Sequence, residues 1–69
     1  MEHEIGPAAG EIWHCLRETG EMSLNALQKT LGQKRDLFLM AMGWLAREKK
    51  VSFRKSGRAT FISLRQEGD

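Results

Sequence analysis

The sequence lacks most features that mark secreted, membrane-spanning or disulfide-rich proteins. It has one cysteine among 69 residues, so no internal disulfide can form, and a reducing, cytoplasmic location is expected. No apolar run approaches the ~20 residues that span a bilayer. Residues 1–4 have neither the positive charge nor the apolar segment of a signal peptide. The length predicts a single domain over 1–69, with an ordered core of about 7–65.

Motifs for metal binding and catalysis are also missing. His14 and Cys15 are adjacent, and adjacent residues on a helix point about 100° apart, so they cannot chelate one metal ion together. No Cys-x-x-Cys or His-x-x-x-His spacing occurs, and there is no glycine-rich phosphate loop. Nothing suggests a nucleophile with a base and an orienting group. We therefore predict no enzyme activity, metal or cofactor, with His14 on a helix surface and Cys15 as a buried thiol.

Charge is distributed unevenly along the chain. The net charge is only +2, but residues 1–32 have two basic and five acidic side chains, whereas residues 33–65 have nine basic and two acidic ones. The first segment therefore has a charge of −3 and the second a charge of +7. Such asymmetry indicates a polyanionic partner. A solvated basic face without any partner is the alternative explanation.

Hydrophobic periodicity predicts three helices. The first covers about 7–19, because the missing N–H of Pro7 costs nothing at a helix start. The second follows the N-cap Ser23 and ends at Gly32, and the third covers about 34–48. The apolar residues predicted to share buried faces are Ala9, Ile12, Trp13 and Leu16; Leu24, Leu27 and Leu31; and Phe38, Ala41, Met42 and Leu45.

Two short strands follow the helices. Apolar and polar residues alternate over Val51–Arg54 and again over Ile62–Arg65, which is typical of half-buried strands. Ser56-Gly57 supplies the positive φ that a tight hairpin needs. A short edge strand near Glu21–Ser23 can pair with this hairpin. The predicted fold is α+β: three helices and a C-terminal β-hairpin wing, the layout of a winged helix-turn-helix.

Three stretches of the sequence carry a resemblance to a known family. They are Gly10–Leu16, Leu27–Gly32 and, above all, Gly43–Val51, which begins Gly-Trp-Leu-Ala-Arg-Glu. These stretches resemble small bacterial and archaeal winged helix-turn-helix proteins, a domain-of-unknown-function family, over roughly Gly10–Leu64. The resemblance implies the fold and brings no established substrate, cofactor or partner. Lys49 stands where related helix ends often have glycine, so the chain must reverse there without glycine's conformational freedom.

Basic residues at two places are candidates for nucleic-acid contacts. Side chains at a protruding hairpin tip can reach phosphates, and a helix N-terminus favours phosphate. Charges at a hairpin tip are also common for solubility alone. The candidates are Arg54, Lys55 and Arg58 around the hairpin tip; Gln33, Lys34 and Arg35 at the start of the third helix; and Arg47 near its end.

The outward face of the third helix is unusually apolar for DNA reading. Opposite its predicted core face lie Asp36, Leu39, Met40, Gly43 and Arg47. Leucine and methionine can touch only a thymine methyl group in the major groove, and aspartate repels phosphate. We therefore predict that Leu39, Met40 and Gly43 form a surface for a protein partner or a homodimer. The alternative is that the core is wider than predicted and includes these apolar residues.

Trp13 and Trp44 are also ambiguous. Tryptophan can stack on the bases of single-stranded nucleic acid, but both residues lie close to core faces, which favours packing. Taken together, the residues predict a nucleic-acid-binding winged helix, similar to a transcription regulator, that contacts DNA phosphates. The alternative is a protein-interaction or dimerisation winged helix without sequence-specific DNA binding.

Overall fold

The domain consists of three helices and a three-stranded antiparallel sheet. A computed structural model describes the backbone of residues 2–65 and the side chains of residues 4–65. In chain order the elements are α1 (Glu2–Thr19), β1 (Met22–Ser23), α2 (Leu24–Leu31), α3 (Arg35–Arg47), β2 (Val51–Ser56) and β3 (Ala59–Leu64). The strand order is β1-β3-β2. This confirms the predicted α+β winged helix-turn-helix, including its short edge strand.

The start of α1 differs from the prediction. The helix begins at Glu2 and contains Pro7 in its interior, so the predicted start at Pro7 was wrong. Proline leaves the carbonyl four residues earlier without its helical N–H donor and crowds it. The helix nevertheless continues through this position, and Ala8 and Ala9 lie in the core at 4% and 2% exposure. Tertiary packing thus outweighs the local preference of proline for a first turn.

The caps of α2 match the sequence prediction. The Ser23 hydroxyl accepts a hydrogen bond from the Ala26 N–H at 3.2 Å, which satisfies one of the donors left open at a helix start. Gly32 adopts a left-handed φ of 67°, and its N–H donates to the Gln28 carbonyl at 2.8 Å. Only a short turn then separates α2 from α3, as in a helix-turn-helix.

The end of α3 reverses the chain without a glycine. Lys49 has a φ of 58°, a left-handed conformation that costs roughly 1–2 kcal/mol for a residue with a Cβ. Its N–H donates to the Ala46 carbonyl, and the N–H of Lys50 donates to the Leu45 carbonyl, both at 3.0 Å. This is the Schellman pattern of a helix end, made here by a lysine. The chain therefore passes directly from α3 into β2.

The wing is a regular hairpin that closes at Gly57. Six residue pairs join β2 to β3, from Val51 opposite Leu64 to Ser56 opposite Ala59. Gly57 has a φ of 61°, which confirms the predicted glycine turn. On the other side of β3, Met22 of β1 lies opposite Ile62. β3 is therefore the central strand, and β2 is an outer strand of the sheet.

A single core joins the helices to the sheet. Its buried residues are Ala8, Ala9, Ile12, Leu16, Leu27, Phe38, Ala41, Met42, Leu45, Val51 and Ile62. The predicted core face of α3 is confirmed. Phe53 was expected to be half-buried in a strand with Val51, but it is 45% exposed. It lies on the outer strand β2, nearer the wing tip than Val51. Its partner on β3, Ile62, is buried, but Phe53 itself is not. Within residues 2–65 no helix is long and apolar enough to cross a membrane.

Leu45 links α3 to the wing, and its truncation tests which face of α3 is buried. Leu45 is 3% exposed and packs in one cluster with Val51 and Ile62. We expect Leu45→Ala to lower the free energy of unfolding by about 2–5 kcal/mol, the range for large-to-small changes in packed interiors. Leu39→Ala, at a position 45% exposed on the same helix, should change it by only about 0.5 kcal/mol. Urea unfolding followed by circular dichroism measures both. A loss below ~1 kcal/mol for Leu45→Ala would contradict this packing.

Candidate nucleic-acid interface

A cleft lies where the starts of α2 and α3 meet the wing. Its volume is about 280 Å³. The lining residues are Ser23, Leu24, Asn25, Arg35, Arg58, Ala59 and Thr60. Arg35 and Arg58 are far apart in sequence, yet they border this one depression. No acidic side chain is among the lining residues, so the cleft suits an anion.

Arg35 is held in place by the preceding helix. Its Nη1 donates to the Oε1 of Gln28 at 2.8 Å. This contact uses one of the five N–H donors of a guanidinium group, so the group is oriented without being neutralised. Lys34 is the N-cap of α3 and is exposed beside it. The start of α3 therefore has two exposed cations, of which Arg35 lines the cleft.

Arg58 and Lys55 are exposed cations of the wing that have no carboxylate partner among residues 4–65. Arg58 follows Gly57 in the turn, and Lys55, on β2, lies opposite Thr60 of β3. No described carboxylate therefore compensates their charges at this end of the hairpin.

Arg54, by contrast, is bound within the domain. Its Nη2 and Nε donate to the two carboxylate oxygens of Glu21 at 2.8 and 3.1 Å, the bidentate geometry that a guanidinium group favours. The guanidinium carbon also lies 4.7 Å from the centre of the Phe61 ring, a cation–π contact. The hydrogen bonds from Arg54 lower the pKa of Glu21, desolvation acts in the opposite direction, and the positive charge of Arg54 lowers it further. The positive charge of Arg54 is therefore largely compensated.

Gln33 also serves the fold. Its Nε2 donates to the Ala8 carbonyl at 3.2 Å and to the Glu11 carboxylate at 3.0 Å. Its own carbonyl oxygen on the main chain accepts from Gln28 at 3.3 Å. These contacts tie the turn between α2 and α3 to α1, on the side away from the wing. Arg47 lies at the other end of α3 and does not line the cleft.

The predicted interaction surface on α3 faces solvent. Leu39 is 45% and Met40 is 46% exposed, and a Cβ added at Gly43 would meet no atom within 4 Å. The alternative of a wider core is therefore wrong. Asp36 and Arg47 flank this surface and are exposed as well.

Four other predicted positions need correction or comment. Trp44 was expected to pack in the core, but it is 45% exposed, while Trp13 is half-buried. Cys15 is half-buried rather than buried, with its Sγ 3.8 Å from the Sδ of Met22, and His14 is exposed as predicted. Among the described side chains, no group of three histidine, cysteine or acidic residues is arranged to hold a metal ion.

Sequence reasoning missed the part played by Glu21. It lies directly before β1 and reaches Arg54 because β3 pairs with both β1 and β2. The strand order that brings these two residues together has no local sequence signal. The sequence offers one hint of this pairing. Glu21 is a lone acidic residue before a predicted edge strand, and that strand pairs with a basic hairpin.

Comparison with known proteins agrees with the fold. A family model described as winged helix-turn-helix domain (DUF2582) matches residues 1–64. The chain is 42% identical over 68 residues to the uncharacterized protein MJ1608 of Methanocaldococcus jannaschii, covering 94% of this chain and 96% of that protein. The solution NMR structure of protein BT2368 from Bacteroides thetaiotaomicron superimposes with a TM-score of 0.79 at 32% identity, covering 93% of this chain and 79% of that one.

These likenesses extend over nearly the whole chain, including α1, the helix-turn-helix and the wing. The family model ends at residue 64, the last residue of β3. The resemblance read from the Gly43–Val51 run is confirmed, and the chain belongs to the winged helix-turn-helix family DUF2582.

Proposed function

We propose that this domain binds nucleic acid, with double-stranded DNA as the ligand, mainly through phosphate contacts. The supporting observation is the cleft that Arg35 and Arg58 share between α2, α3 and the wing. A winged helix that holds DNA in this way suits a module similar to a transcription regulator. A nucleic-acid ligand also fits the cytoplasmic location expected from the single cysteine.

The proposed contacts come from four exposed cations. Lys34 and Arg35 lie at the start of α3, and Lys55 and Arg58 lie on the wing. Each phosphate that they neutralise releases condensed counterions, which supplies affinity without reading the sequence. The first turn of α2 borders the same cleft, and the N–H groups of a helix start add favourable partial charge there. Arg54 and Gln33 contribute to the fold in this proposal and not to the first contacts with DNA.

In this proposal α3 contributes little recognition of the DNA base sequence. Its outward face presents Leu39 and Met40, which can contact only thymine methyl groups. Asp36 at the first turn repels phosphates and accepts a hydrogen bond from the N–H of Leu37 at 2.8 Å. We therefore propose binding with modest sequence preference, in which phosphate contacts provide most of the free energy.

A second candidate function is supported by the same outward face. Leu39 and Met40 are exposed side by side on α3 with Gly43 close behind them. Exposed apolar groups of this kind mark protein contacts, and a small domain gains much from additional burial. A homodimer or protein partner on this face would cover α3 and block it from the major groove.

The salt dependence of binding tests the phosphate contacts. With about four phosphates neutralised, log K against log salt should have a slope near −3.6, at ~0.9 per contact on B-DNA. Arg58→Ala should make the slope less steep by about 1. Lys29→Ala removes the same charge on α2, outside the cleft, and should leave the slope nearly unchanged. Fluorescence anisotropy with duplex DNA measures all three proteins. A flat salt dependence, or equal effects of both changes, contradicts the proposal.

Removal of Glu21 tests the availability of Arg54. Glu21→Gln takes away the carboxylate that binds this guanidinium group, so Arg54 should become available to a phosphate. We expect tighter duplex binding and a slope steeper by about 0.9, one further contact. Glu18→Gln changes the net charge equally from α1 and is the control. If the two variants bind alike, Arg54 is not restrained by Glu21 in solution.

The oligomeric state of the protein tests the predicted interaction surface on α3. If Leu39 and Met40 hold two copies together, sedimentation should give a dimer for the wild type and a monomer for Leu39→Lys/Met40→Glu. Both positions are nearly half exposed, so the double variant should keep its fold, which circular dichroism checks. A monomeric wild type, or a dimer that the double change leaves intact, excludes this surface from self-association.

A further inference from the structure

Both tryptophans of the chain border a second groove, on the flank of α3 that faces α1. The groove has a volume of about 270 Å³. Its lining includes Trp13, Trp44, Lys50, Leu45, Gly6 and Gly10. None of the residues that line the Arg35–Arg58 cleft is among them. The two depressions are therefore separate sites.

Two glycines of α1 line this groove. Gly6 and Gly10 are four residues apart, so they lie one above the other on the same side of the helix. A Cβ built at either position would meet no atom within 4 Å. The space beside these two positions is therefore open.

The aromatic surfaces in the groove are accessible. Trp44 is 45% exposed and Trp13 is half-buried. Arg17 lies 5.4 Å from the centre of the Trp13 ring, and His14 contacts that ring edge-on at a centroid distance of 5.4 Å. Trp13 is thus oriented by its helical neighbours, while the ring of Trp44 is the more open of the two.

The charged side chains described at the groove are basic. Among residues 4–65, Lys50 is the one charged residue that lines it, and no acidic side chain does. Arg17 contacts the ring of Trp13. A flat, aromatic-lined site with a cation at its edge suits a ligand that is both planar and anionic. In an isologous contact a second copy would present the same lining, which includes no described acidic side chain to pair with Lys50, and this disfavours that occupant.

We propose that this groove binds one unstacked base of single-stranded nucleic acid, with the base against Trp44 and a neighbouring phosphate at Lys50. Bases inside a duplex are stacked on each other and cannot reach an indole ring, so the site selects single strands. Base–aromatic stacking tolerates any sequence because every base has a π-face. The site does not depend on the duplex contacts of the Arg35–Arg58 cleft.

Tryptophan fluorescence with two probe strands tests the proposal directly. The first probe is oligothymidylate, and the second is an abasic oligonucleotide of the same length and charge. Oligothymidylate should quench the fluorescence and bind roughly 5- to 150-fold more tightly than the abasic strand, which corresponds to 1–3 kcal/mol of stacking per base. Equal affinities would show that phosphate attraction alone operates, and they would overturn the proposal.

Matched variants identify the residues that cause the preference for oligothymidylate. Trp44→Ala should abolish the preference for oligothymidylate, whereas Phe53→Ala, at an aromatic residue on β2 that is equally exposed at 45%, should keep it. Lys50→Ala should weaken both strands equally. Arg58→Ala should weaken duplex binding and leave the preference intact, which separates this site from the proposed duplex cleft. Equal losses in Trp44→Ala and Phe53→Ala contradict the proposal. A dimeric wild type that Trp44→Ala turns into a monomer would mean that a second copy occupies the groove.

Discussion

The central position of β3 in the sheet determines where every candidate contact lies. Ile62 on this strand is fully buried and lies opposite Met22 on one side and Phe53 on the other. β1 leads directly into α2, so the same pairing that builds the wing also fixes it against the helix-turn-helix. As a result Arg58 on the wing turn and Arg35 at the start of α3 border one cleft. A wing attached only through β2 would lack this second restraint.

The same strand order divides the basic residues of the wing into two kinds. Arg54 faces Glu21 across β3 and is bound by it, whereas Arg58 extends beyond the last strand pair. Two arginines only a few residues apart therefore differ in what they offer an anion. Net charge alone does not reveal this difference, because it counts both equally. In the proposed function, the availability of each guanidinium group, not the number of basic residues, decides how many phosphates are neutralised.

The periodic parts of the fold were predictable from sequence, and the parts that depend on neighbouring elements were not. The core face of α3, the Ser23 cap and the Gly57 turn follow from local patterns and were confirmed. Trp44 lies on a flank of α3, where burial depends on how closely α1 approaches, and it is 45% exposed. The pairing of Glu21 with Arg54 required the strand order, which no local pattern gives. Whether any candidate residue binds nucleic acid remains a prediction.

In the proposed complex, Arg35 and Arg58 contact the phosphates of duplex DNA while Arg54 stays bound to Glu21. The most direct test of this arrangement is an NMR titration of the arginine side-chain Nε–H signals with duplex DNA at low salt. We expect large shifts for Arg35 and Arg58 and little change for Arg54. Large shifts for Arg54 with none for Arg58 would contradict this arrangement.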